Sequence, residues 1–179
     1  MLLHQILTLI FAYLVSSQSF TLSSSRTNQI ITISSSNSTD FPRPYLQLSP
    51  AYVCPTVFSF DSSSRNITVA SSAFPSSLTK KNLYLQKPTK YDPILTPYVG
   101  DIDFWLYAFW NTWEITKDGY LRIGIWGRRA EDKRWFACSG GDDKGLEGRV
   151  WHLDFLGSKP LPCNGSNFDL RVNFGSGRG

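Results

Sequence analysis

The sequence is poor in the residues on which most enzymes and nucleic-acid-binding proteins depend. Charged residues make up only 18% of the 179 residues, and the net charge is a mild +4. Of the two histidines, His4 lies in the N-terminal segment that we expect to be removed, so His152 alone cannot form a two-histidine metal site. No Gly-x-Ser-x-Gly motif occurs, so the sequence offers no nucleophile elbow either. Its basic residues do not form the dense stripe that is typical of nucleic-acid binding. We therefore expect no catalytic residues, no metal or other cofactor and no nucleic-acid partner.

Long hydrophobic runs are also lacking, apart from the uncharged stretch Leu2–Val15. This stretch is shorter than the roughly 20 residues that cross a bilayer and has the length of a signal-peptide core; a short membrane anchor is the alternative. Small residues follow it, so we predict that residues 1–19 are a signal peptide cleaved after Ser17 or Ser19. Residues 175–179 are polar and predict a flexible tail, not the hydrophobic tail of a lipid-anchor signal. The expected protein is secreted, without stable membrane anchoring.

N-glycosylation sequons begin at Asn37, Asn66 and Asn164. N-glycans are attached only in the secretory pathway, so three sequons after a signal peptide support export. We predict a glycoprotein that carries sugar at these three asparagines.

Cysteine is scarce, with Cys54, Cys138 and Cys163 as the three present. Export to an oxidising compartment favours one disulfide. We predict the pair Cys138–Cys163, because both residues lie in the compact C-terminal half at strand-like or turn-like ends. Cys54 is then free, or paired between chains.

Helical periodicity is absent, and short β-type segments take its place. Segments of four or five residues that alternate or run apolar recur about every 8–12 residues, separated by Gly, Pro, Asn and Asp. This pattern predicts an all-β protein, a single-domain antiparallel β-sandwich or barrel over residues 45–174. Residues 20–44 are rich in Ser and Thr, and we predict a pair of strands there with a turn near Ser24–Asn28; a flexible O-glycosylated tail is the alternative.

Asp118-Gly119 lies between the apolar segments Trp113–Ile115 and Leu121–Ile125. It predicts a β-hairpin with a type I′ turn, since that turn needs positive φ at both central residues. Before it, the run Phe104–Trp110 is apolar on both faces if extended, which suits a buried central strand or a strand with one face covered by a partner.

All six tryptophans fall in the second half of the chain. Buried tryptophan fills a β core with large apolar area, whereas exposed tryptophan gives sugar rings a flat apolar face. Core packing is the preferred interpretation, and Trp105, Trp110 and Trp126 are the candidate glycan contacts. A weaker hypothesis draws Glu147, Arg149 and His152 into a ribonuclease-like site, since that chemistry needs a base, an acid and a phosphate-binding cation.

The order of several short motifs resembles a known family. The motifs are FTLSSSR at 20–26, YVCP at 52–55, the hairpin 113–121, WFAC at 135–138, RVW at 149–151, PC at 162–163 and FDLR at 168–171. This order resembles the fungal PhiA-like secreted cell-wall proteins, whose members include IgE-binding antigens. The resemblance implies a β-rich wall-associated or secreted protein with no established catalytic residues.

We therefore expect a secreted, non-catalytic, cell-wall-associated structural or binding protein in the extracellular space. Cell-wall polysaccharide is the candidate partner, and the sequence does not predict an oligomeric state. The alternatives are a carbohydrate-binding module and a secreted effector or nuclease-like toxin.

Overall fold

The computed structural model describes residues 18–34, 43–49, 53–71, 76–87, 89, 94–102, 107–124, 135–138, 148–153 and 163–175. Over these residues the chain consists of β-strands and one 3-10 turn at Ser76–Leu78. The strands are β1 Gln18–Ser24, β2 Ile30–Ser34, β3 Tyr45–Ser49, β4 Val57–Asp61, β5 Asn66–Ser71, β6 Asn82–Gln86, β7 Ile94–Gly100, β8 Ala108–Phe109, β9 Trp113–Ile115, β10 Leu121–Ile123, β11 Trp135–Cys138, β12 Val150–Leu153, β13 Gly165–Phe168 and β14 Leu170–Phe174. In this part of the chain we find no helix with the length and hydropathy needed to span a membrane.

Strands β1 to β7 close into an antiparallel barrel of seven strands. The order around the ring is β1, β2, β3, β7, β6, β5, β4 and back to β1. Closure gives each of these seven strands a neighbour on both sides, which protects them from pairing with another chain. The predicted all-β antiparallel fold is confirmed, and of its two forms the chain adopts the barrel.

Alternation along the strands fills the barrel interior. In β6, Leu83 and Leu85 are completely buried in the core, and the residue between them, Tyr84, faces the opposite side of the sheet. Ile31 and Ile33 of β2 follow the same two-residue period into the same core. Burying such side chains contributes roughly 1.5–3 kcal/mol each relative to exposure, so this core is the main stabilising element.

Further strands extend the barrel at three places. β14 pairs with β1 from Phe20↔Phe174 to Ser24↔Leu170. β8 adds two residues beside β6. β12 pairs with β7 at Leu95 and Ile94, and β11 and then β13 continue outward from it. We call β11, β12 and β13 the three-stranded extension.

The N-terminal Ser- and Thr-rich region belongs to the barrel. Its β1–β2 turn is closed by a hydrogen bond from the Ser24 N–H to the Gln29 carbonyl (2.9 Å), and Asn28 takes a positive φ of 55°. Residues 18–34 therefore adopt the strand alternative, and the β-structure begins before residue 45, where the sequence placed the start of the β-domain. The reason is long-range pairing, since β1 also contacts β4 and β14.

The Asp118-Gly119 hairpin forms, but its predicted turn type is wrong. Gly119 has a φ of +77°, and Asp118 is not among the described residues with positive φ. The Thr116 N–H donates to the Tyr120 carbonyl at 2.9 Å and the Gly119 N–H to the Thr116 carbonyl at 3.0 Å. This is a three-residue loop in which only the last residue is left-handed, the common alternative to a type I′ turn.

The predicted long strand over Phe104–Trp110 is also incorrect where the structure describes it. Residues 103–106 lie outside the described residues, and β8 covers only Ala108 and Phe109 at the edge of the sheet. Tyr107 has a φ of 74°, which an extended strand does not accommodate, and it is 37% exposed. The apolar run is therefore interrupted by a backbone turn and is not a buried central strand at this end.

Candidate functional site

Three tyrosines form a row across the outside of the barrel. Tyr45 on β3 lies directly opposite Tyr98 on β7, which in turn lies opposite Tyr84 on β6. Their strand neighbours Leu46 and Val99 point into the core, so the tyrosines occupy the outer face. The rings of Tyr84 and Tyr98 are 6.0 Å apart between centroids.

Arg149 extends this row toward the three-stranded extension. An isolated bridge pairs it with Gln47, which places its guanidinium 4.4 Å from the centroid of the Tyr45 ring and 5.1 Å from that of Trp151. Its Nη2 also donates a long hydrogen bond to the Tyr98 hydroxyl at 3.5 Å. Cation–π contacts of this kind stabilise a guanidinium that has been withdrawn from water.

Arg43 closes the other end of the row. Its Nη1 donates to the Tyr84 hydroxyl at 3.2 Å and to the Gln86 side-chain oxygen at 2.9 Å. Gln86 follows Tyr84 by two residues on β6 and so shares its face. We call the set Arg43, Tyr45, Tyr84, Tyr98, Arg149 and Trp151 the tyrosine–arginine face.

Accessibility differs along this face. Arg149 is only 1% exposed, and burial lowers the pKa of its guanidinium, an effect that Tyr98 and Tyr45 oppose. Tyr98, Arg43, Gln47 and Gln86 are half-buried and reach solvent. Tyr45, Tyr84 and Trp151 are also buried, at 8%, 1% and 5% exposure. The part of the face that reaches solvent therefore consists of the Tyr98 side chain, the Arg43 guanidinium and the neighbouring glutamine amides.

This chemistry suits binding better than proton transfer. Tyrosine rings and guanidinium groups stack on sugar rings or donate hydrogen bonds to their hydroxyls. The face as defined contains no carboxylate and no imidazole that would act as a general acid or base near neutral pH. Across the described ranges, no three His, Cys, Asp or Glu side chains cluster closely enough to hold a metal ion.

The predicted glycan-contact tryptophans are not part of this face as far as the structure describes it. Trp105 and Trp126 lie outside the described residues, and Trp110 is half-buried just after β8. Trp113 and Trp135 are buried in the barrel core at 0% and 1% exposure, in line with the preferred core interpretation. Trp151 is buried at 5% beside Phe136 on the outer side of the three-stranded extension.

The predicted disulfide between Cys138 and Cys163 is confirmed. It joins the end of β11 to the start of β13, with a Cα–Cα distance of 5.6 Å. Cys54 is free and exposed within the chain. Of the three sequon asparagines, Asn66 is half-buried at the start of β5, Asn164 is exposed directly before β13, and Asn37 lies outside the described residues.

Arg149 and His152, two of the three residues of the ribonuclease hypothesis, are not brought together. Arg149 points to the outer face, where it contacts Tyr45 and Trp151. His152 packs instead against Trp135, a core residue, with ring centroids 4.9 Å apart. Three residues along a strand reverse the side-chain direction, so the two groups lie on opposite faces of β12. Glu147, the third group, lies outside the described residues.

Sequence reasoning did not single out the tyrosine row. The alternation in Tyr45-Leu46 and in Leu83-Tyr84-Leu85 already predicts that each tyrosine faces away from a buried leucine. The alternation within one strand does not reveal which strands are neighbours. β6 and β7 are consecutive along the chain, but β3 meets β7 only through a pairing between strands that are far apart in the sequence.

Comparison of the chain with protein-family models, with curated proteins and with solved structures finds no match. The functional argument therefore depends on the residues and contacts described above.

Proposed function

We propose that this protein acts outside the cell as a glycosylated, non-catalytic protein that associates with cell-wall polysaccharide, of the kind found in fungal walls. The observation that carries this proposal is the tyrosine–arginine face, where the Tyr98 ring and the Arg43 guanidinium reach solvent and contact buried partners on the same side of the sheet. Polysaccharide offers the matching chemistry, with apolar ring faces for stacking and hydroxyls for hydrogen bonds.

Export is supported by the chemistry of the chain. The Cys138–Cys163 disulfide is of the kind that persists in oxidising compartments. The exposed Asn164 and the half-buried Asn66 sit within sequons at strand starts. Stabilisation by a disulfide and by glycans suits a protein that works in the extracellular space.

The pairing of β1 favours one of the two predicted signal-peptide cleavage sites. Gln18 pairs with Phe60 and Ser19 with Ser59 in the β1–β4 ladder. Cleavage after Ser17 keeps both pairs, whereas cleavage after Ser19 removes them. We therefore favour Gln18 as the mature N-terminus, which N-terminal sequencing of the secreted protein would establish.

Binding to insoluble chitin and β-glucan tests the proposal. Purified secreted protein should sediment with at least one of these polymers, and both Tyr98→Ala and Arg43→Ala should reduce the bound fraction. Tyr120→Ala is the matched control, because Tyr120 is a half-buried tyrosine next to the separate β9–β10 sheet. Failure of the unaltered protein to bind either polymer, or equal losses in the control, would contradict the proposal.

Fractionation of a culture into wall, medium and cytosol tests the location. Wall or medium fractions should contain the leader-free glycoprotein. Leader-bearing, unglycosylated protein in the cytosol would exclude export. A parallel RNA-digestion assay with the purified protein addresses the nuclease-like alternative, and we expect no digestion.

A further inference from the structure

The outermost strand of the three-stranded extension has one unoccupied edge among the described residues. β13 pairs with β11 through Phe168↔Trp135, Asn167↔Phe136, Ser166↔Ala137 and Gly165↔Cys138. No other strand in the described part of the chain pairs with β13. A strand edge of this kind presents backbone N–H and C=O groups to any second strand that approaches it.

β13 is short, which limits pairing, but its sequence lacks the charged residues and proline that also protect strand edges. Its residues Gly-Ser-Asn-Phe include no lysine, no other charge and no proline, and Gly165 and Asn167 are exposed. Proteins commonly protect open edges with those residue types, with a bulge or with a very short strand. The pairing between β13 and β11 shows no register shift, so no bulge protects this edge either.

Close packing against β11 requires a glycine at position 165, the first residue of β13. A Cβ atom on Gly165 would lie 2.4 Å from the Ala137 carbonyl oxygen, so a larger residue would push β13 away from β11 beside the disulfide. The Cys138–Cys163 bond holds the same end of the strand in place. β13 is therefore a fixed, uncharged and self-complementary edge.

The sequon Asn164-Gly165-Ser166 overlaps the start of this edge. Asn164 is exposed and immediately precedes β13. An N-glycan is a bulky, strongly hydrated group, and one attached here would occupy the space that a second strand needs. Asn66, by contrast, begins β5, which is paired on both sides by β4 and β6.

We propose that N-glycosylation at Asn164 protects the β13 edge and keeps the protein monomeric, and that without this glycan two copies associate by antiparallel pairing of their β13 strands. A second copy is the occupant because two identical uncharged strands meet across a two-fold axis without charge repulsion. β13 has only four residues, so the association is weak and depends on concentration. This inference assumes the proposed export, since N-glycans are added only on that route.

The experiment uses the secreted full-length chain in three forms: unaltered, Asn164→Gln and Asn66→Gln. Intact-mass and glycopeptide analysis first determine which asparagines carry glycan. Sedimentation velocity over a range of concentrations should show a monomer for the unaltered protein and for Asn66→Gln. Asn164→Gln should self-associate at least ~10-fold more tightly.

Two further samples test whether a dimer of Asn164→Gln results from loss of the glycan or from a folding defect. Enzymatic deglycosylation of the folded, unaltered protein removes the glycan without a substitution that affects folding and should produce the same dimer. Asn167→Lys, introduced at an exposed position of the edge, should restore the monomer after deglycosylation because like charges then oppose pairing.

The possible results separate this inference from the proposed function. Glycan at Asn66 or Asn37 with none at Asn164 would support export and overturn the edge proposal. A deglycosylated protein that stays monomeric, or a dimer that Asn167→Lys leaves unchanged, would also overturn it. Absence of any glycan and of secretion would contradict the proposed function instead.

Discussion

Trp113 and Trp135 stack almost parallel in the main hydrophobic core, with ring centroids 6.4 Å apart and planes inclined by 9°. They come from separate sheets, since Trp113 begins the β9–β10 hairpin and Trp135 begins β11. The Trp113 indole N–H also donates to the Leu83 carbonyl of the barrel at 3.1 Å. This pair therefore joins the hairpin, the barrel and the three-stranded extension in one core.

Replacing Trp113 should weaken the whole fold. Trp113→Phe removes the hydrogen bond to Leu83 and leaves a void in a fully buried site, so we expect a loss of about 2–4 kcal/mol in the free energy of unfolding. Denaturant titration followed by circular dichroism measures the change. Tyr107→Phe, at a 37% exposed position, is the control and should shift it by less than about 0.5 kcal/mol. Equal effects of the two substitutions would contradict the central role of the stack.

The disulfide should contribute strongly to stability. Cys138 and Cys163 are 25 residues apart, and closing a loop of this size stabilises a fold by about 3 kcal/mol. The double variant Cys138→Ser, Cys163→Ser should show this loss in thermal or denaturant unfolding. Cys54→Ser is the matched control and should have little effect, because that thiol is exposed and unbonded. A double variant as stable as the unaltered protein would refute this prediction.

Two ion pairs of different burial should differ in strength. Arg122 Nη1 and Asp169 Oδ1 are 2.8 Å apart, with each side chain 13% exposed, and they join β10 to the chain just before β14. Asp169→Asn should lower the free energy of unfolding by about 1–3 kcal/mol. Asp101→Asn breaks the exposed pair with Lys81 and should cost less than about 1 kcal/mol. Urea titrations of both variants measure the two losses in the free energy of unfolding. A larger loss for Asp101→Asn than for Asp169→Asn would contradict this prediction.

Asp61 should titrate well below the usual range of an aspartate. Its pKa is lowered from 3.8 to about 2, first by the Ser63 hydroxyl, then by the Ser64 hydroxyl and the Ser63 N–H. Because the folded-state pKa is depressed, the stabilising effect is present above pH 3.8 and is lost as the pH falls toward 2. NMR titration of the Asp61 carboxyl carbon measures the midpoint.

Ser63→Ala should raise the Asp61 midpoint toward its ordinary value, because it removes the largest cause of the shift. Ser62→Ala, a change in the same exposed turn at a residue that is not a cause of the shift, should leave the midpoint in place. A midpoint near 3.8 in the unaltered protein would contradict the hydrogen-bonded arrangement.

Local patterning in the sequence was sufficient for several features. The two-residue alternation in segments such as Leu83–Leu85 predicted strands, and the lack of helical periodicity predicted the all-β class. The pairing of Cys138 with Cys163 was also predicted, and the structure adds that they lie at the adjoining ends of β11 and β13. The hairpin at Asp118-Gly119 was located correctly, whereas its turn type was not, since type I′ and three-residue loops share the same Gly signal.

The candidate site could not be predicted from local sequence patterns. Tyr45, Tyr84 and Tyr98 are far apart in the sequence, and nothing in their neighbours marks them as one row. The register of β3, β7 and β6 brings them together, and the bridge between Gln47 and Arg149 adds the guanidinium. Aromatic composition alone does not distinguish a core ring from a surface ring, so the candidate glycan contacts Trp105, Trp110 and Trp126 remain a prediction.

The amino-acid sequence by itself determined the β class and the disulfide partners of this protein, because these depend on the side-chain period along one strand and on cysteine chemistry. Only the tertiary structure decided that seven strands close into a barrel, that three tyrosines and two arginines share its outer face, and that β13 has an edge with which no other described strand pairs. Those properties arise from pairing between distant strands, and the register of such pairing is fixed by the closure of the whole core.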